Sequence, residues 1–182
     1  MAEGMRKGLS LVGDALGSFL HGVICVVAAV GIALLFRAYV VEPFIVPTGS
    51  MLPTIQLNDR ILCEKVSYRL HDIEAGDIIC FNSDYENGAV LVKRVIATPG
   101  QTVDIHDGRV YVDGKESVYG YGVSEPLEDG ISDYPVTLGD GQVWVMGDNR
   151  ESSADSRVFG SVSEDDVIGR VFACVWPMGL LQ

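Results

Sequence analysis

Positive charge is scarce in this chain. Thirteen lysines and arginines stand against 25 aspartates and glutamates, a net charge of −12 over 182 residues. Binding a phosphate backbone needs a basic face, so nucleic acid is excluded as a partner. The acidity is otherwise a statement about solubility. Histidine is scarcer still: His21, His71 and His106 are scattered and the first lies in an apolar run, so the ligand spacing of a zinc site is missing. Cysteine numbers four, with no CxxC pair. Cys25 falls in the apolar run. Of Cys63, Cys80 and Cys174 at least one must stay unpaired, and their places in β-type segments suit buried core thiols. No internal repeat runs through the chain, which excludes a stacked-repeat architecture.

Apolar residues are abundant, at 48%, and concentrate near the N-terminus. Ser18 to Phe36 reads SFLHGVICVVAAVGIALLF, 19 residues without a charge. An α-helix needs roughly 20 such residues to cross a bilayer. Arg6 and Lys7 precede the run, so the positive-inside rule puts residues 1–17 in the cytoplasm and 37–182 outside it, with Arg37 working weakly against this. A buried core helix and a cleaved signal peptide are the competing readings. The run exceeds the roughly 7–15 residues of a signal-peptide core, so 18–36 is expected to be a retained anchor in the lipid bilayer.

Past the run, short β-type segments alternate with turn residues. Strands are expected at Phe44–Val46, Asp59–Val66, Asp77–Phe81, Ala89–Ala97, Thr102–His106, Arg109–Val112, Gln142–Met146 and Val167–Val175. Asp107-Gly108 is a hairpin turn. Thr54 to Leu57 is expected to form a turn of helix, and Ser117 to Gly139, rich in glycine, tyrosine and acid, a loop. Many short strands with regular turn signals give a mainly β domain, a sandwich or a barrel-like fold.

Three stretches carry chemistry. The first, Pro47-Thr48-Gly49-Ser50-Met51-Leu52-Pro53-Thr54, places one hydroxyl, Ser50, beside apolar residues in a segment stiffened by two prolines. Read alone it is a surface turn before it is a nucleophile, since Gly, Pro, Ser and Thr are common turn residues. A serine needs a base before it is a nucleophile. The second stretch, Leu91-Val92-Lys93-Arg94-Val95-Ile96, offers one. A lysine buried in so apolar a strand loses charge, and a neutral amine takes a proton from serine. The alternative is a strand lysine pointing to water with Arg94 pointing the other way, since period-two alternation requires that one of the two face inward. The third, Gly147 to Arg157 (GDNRESSADSR), follows a strand and is dense in hydroxyls and carboxylates, with Asp155 and Arg157 spaced to pair.

Together the anchor, PTGSMLPT, LVKRVIATPG and GDNRESSADSR, in that order, resemble the bacterial type I signal peptidases, the serine–lysine leader peptidases. The resemblance covers nearly all of the chain. It implies an antiparallel β-sheet catalytic domain on a single N-terminal transmembrane helix. It also implies Ser50 as nucleophile, Lys93 as general base and Ser153 as the hydroxyl that orients the base. Asp155 and Arg157 would hold their loop. The family often has serine where Thr48 stands, and the threonine keeps the hydroxyl that assists the oxyanion hole beside the Ser50 N–H. Ile45, Val46, Pro47, Met51, Leu91 and Val92 would flank an extended substrate and accept small side chains, as cleavage sites of signal peptides require. The partners implied are signal peptides of exported preproteins, at the plasma membrane, with no metal or organic cofactor. A specialised serine–lysine processing protease of a pilus or conjugation system would use the same residues. A membrane-anchored β-domain that binds exported proteins without cutting them is the third reading.

Overall fold

Residues 2–119, 122, 130, 131, 133–176 and 178–180 are described by the computed structural model of the protein. Its first element, α1, is an unbroken helix over Ala2–Tyr39. Within it Gly17–Tyr39, 23 residues of mean hydropathy 2.6, buries none of its side chains against the rest of the chain. At about 1.5 Å per residue this stretch matches the roughly 30 Å of a bilayer core. The helix outlasts the apolar run at both ends, since Arg37, Ala38 and Tyr39 continue it. The chain accordingly divides into Met1–Val40 and Val41–Gln182, a little beyond the boundary expected after Phe36.

The second unit is built of β-strands: β1 Val41–Ile45, β2 Arg60–Glu64, β3 Ile78–Ser83, β4 Ala89–Ala97, β5 Thr102–His106, β6 Arg109–Val112, β7 Lys115–Glu116, β8 Val136–Thr137 and β9 Gln142–Met146. A short helix, α2 Ser156–Phe159, precedes β10 Val162–Ser163, β11 Val167–Trp176 and β12 Met178–Leu180. The larger sheet runs β1-β2-β11-β3-β4-β9-β10, with β12 also on β11, and the smaller runs β7-β6-β5-β8. Every described pairing is antiparallel. Pro43, which cannot donate to a ladder, sits in β1 at the edge of the larger sheet, where a missing N–H is tolerated.

Period-two alternation distributes the long strands between separate cores. On β3, Ile78 and Cys80 join a cluster with Val46, Met51, Ile55, Ile61, Cys63 and Val171. Ile79 and Phe81, on the other face, join Val95, Val143, Val145 and Val162. On β9, Trp144 and Met146 turn toward a further cluster with Ile96 and Val103, Ile105 and Val110 of the smaller sheet. Both faces of the larger sheet are therefore covered where β3, β4 and β9 lie together. Cys63, Cys80 and Cys174 are buried, as the apolar setting of their strands suggests. Gly169 allows β2 and β11 to close up, because a Cβ there would stand 2.0 Å from the Glu64 carbonyl oxygen.

Several strands fall where the pattern puts them, with β4, β5, β6 and β9 at the expected bounds. Thr54–Leu57 is a turn rather than helix. The interval 117–139 contains β8, and part of the loop expected there lies outside the described residues. The elements that no pattern announced, β7, β8, β10, β12 and α2, span two to four residues each, too few to show a period.

Candidate active site

The segment between β1 and β2 carries Ser50. Its ends are closed by Val46 N donating to Asp59 O (3.0 Å) and Asn58 N donating to Val46 O (2.8 Å). Met51 and Ile55 are its core anchors, neither with any exposed surface. The outer side is gripped by Asn149, whose backbone N–H donates to the Ser50 carbonyl (3.0 Å) and whose Nδ2 donates to the Gly49 carbonyl (3.0 Å). Ser50 is thereby fixed with 7% of its surface exposed.

Lys93 lies on β4, 3% exposed, with Nζ 2.7 Å from Ser50 Oγ. An ammonium would donate to that oxygen; a neutral amine accepts its proton. Burial favours the neutral amine, since it penalises the charged form and holds the Lys93 pKa below the ordinary lysine value. The Asp155 and Glu86 carboxylates pull it back up, and Arg157 pushes it further down.

Lys93 faces inward, and Arg94 on the opposite side is enclosed as well, at 2% exposed. Alternation holds, but both faces of this sheet are covered. Arg94 forks onto Asp148, Nε to Oδ1 at 2.9 Å and Nη2 to Oδ2 at 2.8 Å, and Nη1 donates to the Gly76 carbonyl at 2.9 Å. Thr54 Oγ1 donates to the same carboxylate at 2.5 Å. Sequence reasoning missed this network. The signal available was a Lys-Arg pair inside an apolar strand, together with an aspartate opening the third motif.

That motif folds as a loop after β9. Asp155 caps α2 and takes a two-pronged bond from Arg157, Nε to Oδ1 at 2.9 Å and Nη2 to Oδ2 at 3.0 Å. Its Oδ2 also accepts from Gly147 N at 3.0 Å, and Arg157 Nη2 reaches the Arg150 carbonyl at 2.7 Å. Both side chains are within 1% of complete burial, so the ion pair foreseen from spacing is an internal brace. Gly147 is a point of close approach: a Cβ on it would lie 2.3 Å from Ser153 Oγ and 2.5 Å from the Ser50 carbonyl oxygen. Ser153 is buried beside the pair, but its Oγ has no hydrogen-bond partner among the described residues, so the expected bond to the lysine amine is not made here. Ser152 is exposed.

Thr48 Oγ1 stands 3.5 Å from Ser50 Oγ, on the open side of the loop. β4 pairs with β3 along its length from Ala89 to Arg94, but with β9 only from Arg94 onward. Residues 89–93 thus offer a backbone edge without a partner strand among the described residues. Ile45 (60% exposed) and Pro47 are at the surface, whereas Val46 and Met51 are core residues and do not wall an open pocket as expected. Val92 packs against the core of Val46 and Met51, and Leu91 packs against the other face. No three or more His, Cys, Asp or Glu side chains converge to hold a metal ion among the described residues.

Comparison with known proteins places this arrangement. The family model described as signal peptidase, peptidase S26, matches residues 20–176. The chain is 42% identical over 156 residues to a probable signal peptidase I-1 of Synechocystis sp., covering 82% of this chain and 78% of that protein. It is 35% identical over 172 residues to a signal peptidase I of Leptolyngbya laminosa, covering 89% and 82%. It is 32% identical over 173 residues to signal peptidase IB of Staphylococcus aureus, covering 87% and 90%.

The buried amine has a measurable consequence for stability. With its folded pKa depressed, Lys93 binds fewer protons in the folded than in the unfolded chain between that pKa and the unfolded value of about 10.4. Stability therefore rises with pH across this window, and the penalty is fully present below it. Lys93→Met keeps the shape without the amine. It is expected to be at least as stable as the parent at pH 7, with an advantage that shrinks toward pH 10, in chemical unfolding of the full chain in detergent. A variant markedly less stable at pH 7 would mean a charged, paired lysine.

Proposed function

The chain belongs to the signal peptidase family, peptidase S26, and we propose that it removes signal peptides from exported preproteins with Ser50 as nucleophile and Lys93 as general base. The activity of a serine endopeptidase on signal peptides comes with the family. The assignment of residues is carried by one observation, the 2.7 Å contact between two buried groups, Lys93 Nζ and Ser50 Oγ. A binding domain has no use for an amine held out of water, which destabilises the fold that contains it.

The neutral Lys93 amine takes the Ser50 proton as Oγ bonds to the scissile carbonyl carbon. The oxyanion so formed is received by the Ser50 N–H and the Thr48 hydroxyl. Lys93, now an ammonium, gives its proton to the leaving nitrogen as the C–N bond breaks. Water then attacks the acyl-enzyme with Lys93 again as base. The ammonium needs acceptors that the neutral amine does not, and the unpartnered Ser153 hydroxyl is the reserve close by. Substrate would lie extended along the open 89–93 edge of β4, opposite Ile45 to Pro47. Ile45 and Pro47, which stay at the surface, and the half-buried Val92 would line it, with Val46 and Met51 in the core beneath.

Association with the membrane is through the apolar part of α1, a single span. Arg6 and Lys7 would keep the N-terminus in the cytoplasm, leaving the β domain outside it at the plasma membrane.

Ser50→Ala is expected to lower cleavage of a preprotein bearing an Ala-x-Ala site by at least about a thousandfold, as loss of other serine nucleophiles does. Membrane insertion should be untouched; comparable processing by the variant would remove Ser50 from its role. For orientation, protease added outside spheroplasts is expected to digest the β domain. Protection until lysis would reverse the topology.

A further inference from the structure

Three segments far apart in the chain meet at Asp148. Arg94 directly follows Lys93 on β4, Thr54 lies in the Ser50 loop, and Asp148 itself opens the loop whose next residue, Asn149, clasps Gly49 and Ser50. The Asp148 junction therefore fixes the strand of the base relative to the loop of the nucleophile. At 2.7 Å the pair tolerates little slack. Buried charge-assisted bonds hold such a junction only while water is kept from competing for them.

We propose that Tyr119 is a positioning residue for the Ser50–Lys93 pair, closing the Arg94–Asp148–Thr54 junction and holding it in register. The proposal rests on the assignment of that pair made above. Tyr119 belongs to none of the three motifs, yet it touches the junction from both sides. Its ring lies over the Arg94 guanidinium, with the centroid 5.9 Å from Cζ. The edge of the ring fills the space over Gly76, where a Cβ would come within 2.4 Å of Tyr119 Oη; the Gly76 carbonyl is the one that receives Arg94 Nη1. Gly76, at φ +101°, has the backbone and the bareness that this contact needs. Tyr119 also packs on the cluster that joins Ile96, Trp144 and Met146 of the larger sheet to Val103, Ile105 and Val110 of the smaller one. Its carbonyl accepts from Arg150 Nη2, and Arg150 Nε donates to the Gly147 carbonyl at 2.9 Å, next to Asp148. One residue is thus held by the arginine after the base and by an arginine of the catalytic loop. The flat ring does the covering, and no step of the reaction uses the hydroxyl.

The test compares Tyr119→Leu, Tyr119→Phe, Thr54→Val and the double Tyr119→Leu/Thr54→Val in the full chain in detergent, with the Ala-x-Ala preprotein. Tyr119→Leu is expected to lower kcat about tenfold with KM unchanged within about twofold, since the residue acts on geometry and not on substrate. Tyr119→Phe keeps the ring and should restore kcat. The double variant should be little slower than Thr54→Val, because both changes release one junction. A wild-type kcat in Tyr119→Leu, an equal loss in Tyr119→Phe, additive losses in the double variant, or a loss that follows the folded fraction in thermal unfolding would each overturn the proposal. Ser50→Ala run alongside separates the two levels. If it is inactive while Tyr119→Leu is wild type, only the role of Tyr119 fails. If Ser50→Ala cleaves, the assignment beneath it fails.

Discussion

A lysine amine pressed against a hydroxyl, out of reach of water and so favoured in its uncharged form, is the constraint on which the rest of this β domain depends. Hydration would stabilise the ammonium form of the lysine, and a nearby unpaired carboxylate would do the same. The fold answers the first by covering both faces of the larger sheet around β4, so that a residue in its middle is enclosed whichever way it points. It answers the second by how Asp155 is used. That carboxylate raises the Lys93 pKa, but it is locked in a two-pronged pair with Arg157, whose charge acts on Lys93 in the opposite sense. The net outcome follows burial, the larger effect.

Neutrality alone does not make a base; the amine must also stay in place. The third motif supplies the fastening through consecutive residues. Gly147 has no side chain, so the Ser50 carbonyl and Ser153 approach it closely. Asp148 binds the strand of the base to the loop of the nucleophile. Asn149 holds the backbone of Gly49 and Ser50. Each bond is worth roughly 1–3 kcal/mol where one partner is charged or buried. Together they restrict a loop that turn-type residues would otherwise leave mobile.

Much of this was legible before any coordinates. A long uncharged run, β-branched segments with an Asp-Gly turn, and a lysine inside the most apolar strand are local signals, and α1, β4, β5, β6, Ser50 and Lys93 follow from them. The Asp155–Arg157 brace was legible too, since its partners are two residues apart. What stayed hidden is what depends on distant pairing. Asp148 gives no local sign that it meets Arg94 and Thr54, and the burial of Arg94 requires a second core that one strand cannot announce. Met51 and Val46 read as pocket walls because they neighbour the nucleophile, whereas the loop turns them into the core. Tyr119 sits at the start of a stretch without period, and its contacts with Arg94 and Arg150 are long-range.

The neutrality of Lys93 is tested most directly by nuclear magnetic resonance titration of the full chain in detergent with lysine labelled at Cε. The chain holds four lysines, Lys7, Lys65, Lys93 and Lys115, so the resonance lost in Lys93→Met identifies the base. Burial predicts that this resonance titrates below the ordinary lysine value of about 10.4. A Lys93 resonance that titrates at or above that value would contradict a neutral base at working pH.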